Sequence, residues 1–193
     1  MRSQMSRTVV GCALGIAGLA HAGWAQAPGA QPAPAAPVVA NPTYVSIPLE
    51  IIVNRPAAEV WKRVGKFCDI GEWLRVQCTI TSGKDGEFGA MRSVANEVLV
   101  GKTELSYTYT QPVRTGQTYN LYHGTLEARP VTATTSKLVY TLVFDNSMLA
   151  DDAARERDKQ QRATRFMQAL ENMKILAEGG TLPPTPAPAR GGR

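Results

Sequence analysis

Hydrophobic and polar positions along the chain predict a strand, a short helical region, several strands and a long final helix. Apolar and β-branched side chains dominate 44–53, which predicts a strand. Pro56 suits the first position of a helix, and Val60, Val64 and Phe67 follow it at helical spacing. The further predicted elements are a helical turn at 70–74, strands at 76–82, 88–100 (with an irregularity near Asn96), 102–110, 118–128 and 136–144, and a helix at 151–178. Strands followed by a long terminal helix are typical of an α+β fold whose antiparallel sheet packs on that helix.

Alternation along the later strands separates two faces of the predicted sheet, because successive side chains point to opposite sides. On strand 118–128, Tyr122, Gly124 and Leu126 share one face with Asn120, and His123 lies on the other face. Tyr119 and Leu121 fall on the His123 side. The apolar face of strand 102–110 consists of Leu105, Tyr107 and Tyr109. That of strand 136–144 consists of Leu138, Tyr140, Leu142 and Phe144.

The N-terminal segment 1–22 has the pattern of a secretory signal peptide. Arg2 and Arg7 precede an uncharged apolar stretch at 8–20, and Ala20-His21-Ala22 offers a cleavage site. Ala25-Gln26-Ala27 is a second candidate site. The apolar stretch is too short to span about 30 Å of hydrocarbon, so no stable membrane span is expected after cleavage. A lipoprotein is the alternative, because Val9-Val10-Gly11-Cys12 resembles a lipobox.

Composition divides the remaining chain into a domain at 43–178 and two tails. Alanine and proline dominate 23–42, and proline and glycine are frequent in 179–193, so both segments are predicted to be disordered. The chain has a net charge of +5, with 21 basic and 16 acidic residues. Four arginines lie outside the domain (Arg2, Arg7, Arg190 and Arg193), whereas every acidic residue lies within it. The domain is therefore close to neutral, which removes the main argument for a nucleic-acid partner.

Cys68 and Cys78 are the two cysteines that remain after signal cleavage. An exported chain enters an oxidising compartment, so this pair predicts a disulfide. Two buried free thiols are the alternative.

Several short motifs carry a resemblance to a known family. They are Val53-Asn54-Arg55-Pro56-Ala57-Ala58-Glu59-Val60-Trp61, Val64-Gly65-Lys66-Phe67-Cys68-Asp69-Ile70 with Trp73, Gly89-Ala90-Met91-Arg92, and Tyr122-His123-Gly124-Thr125-Leu126-Glu127. Together they resemble the SRPBCC (START-like) superfamily, and within it the polyketide cyclase/dehydrase and lipid-transport branch. The resemblance implies a helix-grip fold, in which a curved antiparallel sheet holds a long C-terminal helix and an apolar cavity lies between them. Arg75 stands where relatives often have proline. Val76 stands where plant hormone receptors of the superfamily have lysine, so hormone sensing is not carried over.

The resemblance also indicates which strand faces would line that cavity. The resemblance turns the face of 118–128 that carries Tyr122, Gly124 and Leu126 towards the cavity, where Gly124 would leave room for a ligand. Apolar side chains with a few phenolic hydroxyls suit an amphipathic small molecule. The predicted lining residues are Trp73, Tyr107, Tyr109, Tyr122, Gly124, Leu126, Tyr140, Phe166, Met167 and Leu170. Simple filling of the core is the alternative for each of them.

Few residues offer catalytic chemistry. His123 is the one histidine left after signal cleavage, and it lies on the face opposite Tyr122. Arg92 could pair with Glu104 in a pocket, and Arg92 and His123 are the weak catalytic candidates. The sequence predicts no cofactor and no metal ion, because a lone histidine makes no metal site. The basic residues of the last helix are interleaved with Glu156 and Asp158, which is typical of a solvated face; they are Arg155, Arg157, Lys159, Arg162 and Arg165.

Three functional hypotheses follow from these features. The leading one is an exported, periplasmic protein that binds a hydrophobic or amphipathic small molecule or lipid without catalysis. The alternative is a polyketide cyclase/dehydrase-like enzyme acting on an aromatic or polyketide-like substrate, with phenols polarising a carbonyl. The third is an accessory protein to a periplasmic redox enzyme, which would use the basic helix face to bind a protein partner.

Overall fold

The computed structural model describes residue 39, residues 41–114 and residues 116–184. The predicted signal peptide at 1–22 lies outside the described residues, and so does much of both predicted tails. The helices and strands begin at Tyr44 and end at Ala177. They are β1 Tyr44–Val53, α1 Ala57–Val64, α2 Ile70–Trp73, β2 Ile80–Ser82, β3 Met91–Arg92, β4 Glu97–Thr103, β5 Ser106–Thr110, β6 Asn120–Pro130, β7 Ser136–Asp145 and α3 Asp152–Ala177.

The strands form one curved antiparallel sheet in the order β1-β7-β6-β5-β4-β3-β2. Its two edges differ, because β1 has ten residues and β2 has three. Helix α3 packs against the sheet and begins after Asp151, whose carboxylate accepts a hydrogen bond from the Ala154 N–H at 2.7 Å. This cap satisfies one of the N–H groups that a helix start leaves unpaired. The predicted α+β arrangement of sheet and terminal helix is confirmed.

The buried face of the sheet follows the predicted alternation. Tyr122 and Leu126 are buried on β6, whereas His123 between them is exposed. On β7, Leu138, Tyr140, Leu142 and Phe144 are fully buried. These side chains meet Phe166, Leu170 and Met173 of α3 in one hydrophobic core. The apolar stripe of α3 is therefore what holds the sheet around the helix.

Three predicted strands are wrong in their extent. In the strand expected at 102–110, Lys102 and Thr103 belong to β4, and β5 begins only at Ser106. The strand expected at 76–82 forms only at Ile80–Ser82, and the strand expected at 88–100 is divided into β3 and β4. The division is a tight turn in which Ala95 and Asn96 both have positive φ, at 52° and 54°. The turn lies within the four-residue loop 93–96 between the paired Arg92 and Glu97, and the Glu97 N–H donates to the Val94 carbonyl at 3.1 Å across it. The irregularity predicted near Asn96 is therefore a complete reversal of the chain.

Two further side chains depart from simple alternation. Leu105 lies in the turn between β4 and β5 rather than within a strand. Leu121 has a positive φ of 50°, and the pairing of β6 with β7 changes register there. Because this irregularity rotates the chain, Tyr119 turns towards the interior, where its ring lies 5.3 Å from that of Tyr122. The prediction that Tyr119 lies on the opposite face is wrong.

A disulfide holds α2 against the rest of the domain. Cys68 and Cys78 are joined, with their Cα atoms 5.5 Å apart, so the bond closes the segment that contains α2. The Nδ2 of Asn172 in α3 donates to the Trp73 carbonyl at 2.9 Å, which fixes the end of α2 from the other side. Arg75 follows with a positive φ of 57°. Proline cannot adopt that conformation, so proline at position 75 would require a different backbone path.

Candidate functional site

Four phenols meet in the interior between the sheet and α3. Tyr107 and Tyr109 come from β5, Tyr122 from β6 and Tyr140 from β7, and all four side chains are buried. The hydroxyls of Tyr109 and Tyr140 are hydrogen-bonded at 2.8 Å, and the rings of Tyr109 and Tyr122 lie 6.2 Å apart. Burial raises the pKa of each phenol above its ordinary value, most strongly for Tyr109 and Tyr140. The hydroxyls therefore stay protonated at neutral pH and remain hydrogen-bond donors.

The space in front of Gly124 is occupied by one of these phenols. A Cβ placed on Gly124 would lie 2.4 Å from Cζ and from the hydroxyl oxygen of Tyr109. The absence of a side chain at Gly124 is thus what allows the Tyr109 ring to lie flat against β6. In this structure the room predicted for a ligand is filled by the protein.

Arg92 is buried among these aromatic rings and pairs with Glu97. Its Nε donates to the Glu97 carboxylate at 2.6 Å, and its Nη1 donates to the carbonyl of Phe67. The guanidinium lies 4.2 Å from the Phe67 ring centroid and 4.7 Å from that of Tyr109. The proposed pairing of Arg92 with Glu104 is wrong, because Glu104 is exposed and Glu97 takes that place.

The pKa values of Arg92 and Glu97 are both raised above their ordinary values. Burial lowers the pKa of Arg92, but the phenol of Tyr107 and the carboxylate of Glu97 outweigh it and raise the pKa above its usual value. Burial raises the pKa of Glu97, and the contacts with Arg92 and Gln111 offset part of that rise. A cation that cannot lose its proton thus lies at the centre of the fold, with one carboxylate as its partner.

A chain of polar side chains continues from this ion pair towards α3. Gln111 donates to the second oxygen of Glu97 at 2.8 Å, and the Tyr119 hydroxyl donates to the Gln111 amide oxygen at 2.7 Å. The Arg162 guanidinium lies 4.4 Å from the Tyr119 ring centroid and pairs with Asp158. The sequence does not indicate that Glu97, Gln111 and Tyr119 belong to the site, because each meets its partner across a turn or an irregularity.

Of the open sites outside this filled interior, two are lined in part by predicted site residues. The first, the α2–α3 groove, has a volume of about 610 Å³ and is lined by Trp73, Leu74, Arg75, Thr164, Arg165, Gln168, Ala169, Asn172, Pro183 and Pro184. The second, the α1–β5 cleft, has a volume of about 410 Å³ and is lined by Trp61, Gly65, Lys66, Phe67, Asp85, Gly86, Leu99, Lys102, Thr103, Glu104, Ser106 and Tyr107. The groove is the larger of the two.

The α2–α3 groove is built mostly from apolar surface. Trp73, Leu74 and Ala169 come from the facing helices, and Pro183 and Pro184 add a wall after α3. Arg75 donates a hydrogen bond to the Pro183 carbonyl, which holds that wall in place. An apolar slot of several hundred cubic ångströms has the dimensions of a small-molecule site.

The arrangement of sheet and helix recurs in solved structures. A protein from Nitrosospira multiformis is 22% identical with a TM-score of 0.53, and the match covers 68% of this chain and 94% of that one. A protein from Thermobifida fusca is 21% identical with a TM-score of 0.54, covering 71% and 97%. The Zhui aromatase/cyclase from a Streptomyces species is 15% identical with a TM-score of 0.53, covering 72% and 100%. The chain has the helix-grip fold.

The predicted likeness to the SRPBCC superfamily is confirmed at the level of this helix-grip fold. No protein-family model and no curated protein sequence matches the chain. One of the proteins that share this fold is an aromatase/cyclase.

The helix-grip core brings most of the predicted lining residues together. Tyr140 contacts both the Phe166 ring, at 4.8 Å between centroids, and the Trp73 ring, at 6.2 Å. Leu126 and Leu170 are fully buried, and Met167 is half-buried at the edge of the same core. Trp73 lines the groove and Tyr107 lines the cleft, so the predicted set touches both open sites. Their role in ligand binding stays a prediction.

The remaining candidates lie at the surface of the helix-grip domain. His123 is exposed, and its Nδ1 lies 3.0 Å from the Leu121 carbonyl oxygen, away from the buried phenols. On α3, Arg155, Lys159 and Arg162 each pair with an acidic residue three or four positions away. These pairs neutralise much of the basic face. Within the part of the chain that the structure describes, no group of three or more metal-binding side chains occurs, and no helix is long and apolar enough to cross a membrane.

Proposed function

We propose that the protein is an exported binding protein for a hydrophobic or amphipathic small molecule, and that it carries out no chemical step on that molecule. The α2–α3 groove is the observation that carries the proposal. Its volume of about 610 Å³ falls within the range of known ligand sites, and Trp73, Leu74 and Ala169 are among its lining residues.

Trp73 lines the groove and also belongs to the buried aromatic cluster. The Trp73 ring contacts Tyr140, and Tyr140 contacts Phe166. A ligand in the groove would thus lie against the outermost member of the buried cluster. Because the interior is filled by Tyr109 and its neighbours, the groove supports binding without any displacement of core side chains.

The first experiment asks whether the protein retains or takes up an apolar ligand. Protein purified from the exported fraction of its host is examined by native mass spectrometry, and then titrated with fatty acids and with the neutral dye Nile red. We expect a co-purified apolar molecule or saturable dye binding. A protein that is consistently empty and binds neither fatty acids nor the dye would refute the proposal.

A pair of variants on one helix locates the site. Gln168→Trp places a large ring in the α2–α3 groove, where Gln168 is an exposed lining residue. Gln161→Trp makes the same change at an exposed position of α3 that does not line the groove. We expect the first variant to weaken dye binding and the second to leave it unchanged. Equal binding by both variants would place the ligand elsewhere.

Export to the periplasm is the second part of the proposal. The leader pattern at 1–22 supports it, and the bond between Cys68 and Cys78 is compatible with an oxidising compartment. Cell fractionation with intact-mass measurement tests it. We expect a periplasmic protein whose N-terminus is Gly23, or Pro28 if the second site is used. A full-length cytoplasmic protein would contradict export.

A cyclase-type enzyme is the second candidate, and the buried position of Arg92 favours it. The guanidinium and the phenols of Tyr107 and Tyr109 could polarise a carbonyl that entered the interior. Turnover of a polyketide-like aromatic substrate would support this function, provided that Tyr122→Phe abolishes it in a folded variant. The absence of turnover with such substrates by a protein that binds them would favour the carrier.

A further inference from the structure

The charged residues that line the α2–α3 groove have one sign. Arg75 and Arg165 are the charged members of the lining, which includes no carboxylate among the described residues. The α1–β5 cleft provides the contrast, because its Lys66 and Lys102 are accompanied by Asp85 and Glu104. The groove thus presents a positive rim around an apolar floor, and the cleft does not.

Arg165 differs from most of the basic residues on the same helix. Arg155, Lys159 and Arg162 each have a carboxylate of α3 within 4.0 Å. Among the residues that the structure describes, no carboxylate lies that close to Arg165. An exposed arginine without a partner at the rim of an apolar slot can bind an incoming anion in a bidentate manner.

Trp73 is one of the residues that line the groove. Trp73 is fully buried, and its indole Nε1 has no hydrogen-bond partner among the described residues. The other face of the slot is the apolar wall of Pro183 and Pro184, which Arg75 holds through the Pro183 carbonyl.

We propose that the ligand of the α2–α3 groove is an organic acid with an extended apolar body. The apolar body lies between Trp73 and the Pro183–Pro184 wall, and the carboxylate pairs with Arg165, with the charge of Arg75 adding to the attraction. This inference rests on the proposed binding function and specifies the class of molecule bound.

A matched pair of ligands tests the charge separately from the apolar body. Decanoate and decan-1-ol have the same chain and differ at the head group. Each is used to displace Nile red from the full protein at pH 8 and low salt. We expect decanoate to compete about tenfold more strongly than the alcohol, with the difference shrinking as salt is added.

Two arginine variants assign that difference to the groove. Arg165→Gln should reduce the preference for decanoate to about twofold while leaving the affinity for decan-1-ol unchanged. Arg157→Gln is the control, because Arg157 is exposed on the same helix and does not line the groove. It should leave both affinities as they are.

The outcomes separate the two proposals. Equal affinities for decanoate and decan-1-ol, or a preference that survives Arg165→Gln, would overturn the assignment of an organic acid and leave the binding function in place. If neither ligand nor the dye binds, the binding function and the inference both fail.

Discussion

Gly124→Ala is the substitution that tests most directly how the interior is filled. The added Cβ would lie 2.4 Å from Cζ and from the hydroxyl oxygen of Tyr109, and that hydroxyl is bonded to Tyr140 at 2.8 Å. Tyr109 is fully buried, so it cannot swing into solvent. The ring must therefore shift within a packed core and lose the alignment of its hydrogen bond.

The free energy of unfolding should fall by a measurable amount. Forcing a methyl group into a filled core costs about 1–3 kcal/mol, and weakening the bond between Tyr109 and Tyr140 costs about 0.5–1.5 kcal/mol. Alanine regains about 0.5–1 kcal/mol over glycine within a strand. The net loss is about 2 kcal/mol, which lowers the melting temperature of a domain of this size by roughly 6–8 °C.

Thermal and urea unfolding, followed by circular dichroism, measure this loss. Gly101→Ala is the control, because a Cβ there would meet Thr108 at 3.3 Å on the outer face and should change stability little. The decisive comparison uses Tyr109→Leu as the background, since leucine ends before the ring atoms that the new methyl group would touch. There Gly124→Ala should be neutral or slightly stabilising. The same loss in both backgrounds would refute the account of Gly124 as the space for Tyr109.

Three further predictions concern the bonds that hold the domain. Replacing Cys68 and Cys78 by alanine should cost about 2.7 kcal/mol by loop entropy; alkylation of the native protein without reductant should modify neither thiol, and two modified thiols would contradict the disulfide. Glu97→Ala should cost about 3–5 kcal/mol in urea unfolding because Arg92 stays buried without its partner; a loss below about 1 kcal/mol would mean that water reaches Arg92. The Asn54 N–H and Lys174 lower the pKa of Glu178, so the stability it contributes is present above about pH 4.5 and is lost as the pH falls further. Glu178→Gln should therefore flatten the acid side of the stability curve, and an unchanged slope between pH 5 and pH 3 would contradict this assignment.

The sequence predicted those parts of the fold that depend on regular alternation. The inward face of β6 could be read from Tyr122 and Leu126, because a strand with one buried face must alternate. The exceptions to this alternation could not be predicted, since a single positive φ at Leu121 moves Tyr119 to the other face and no glycine indicates it. The order of strands and helices is determined by many residues together, whereas an irregularity of this kind depends on a single residue.

The partner of Arg92 shows why the candidate site was harder to predict than the fold. Its carboxylate comes from Glu97, five residues later, and the two meet because the chain reverses at Ala95 and Asn96. If 88–100 were one strand, these two side chains would be separated along it and could not pair. The α2–α3 groove could not be predicted either, because it forms between elements that are far apart in the sequence.

The first strand of the sheet has a consequence for how the protein behaves at high concentration. β1 is ten residues long and forms one edge of the sheet, so a row of its N–H and C=O groups faces away from β7. Such an edge invites a second chain to add a strand and begin an aggregate. Pro48 stands in the middle of β1 and supplies no N–H, and Glu50 places a charge two residues further on. Pro48 and Glu50 therefore make this open edge of the sheet a poor template for self-association.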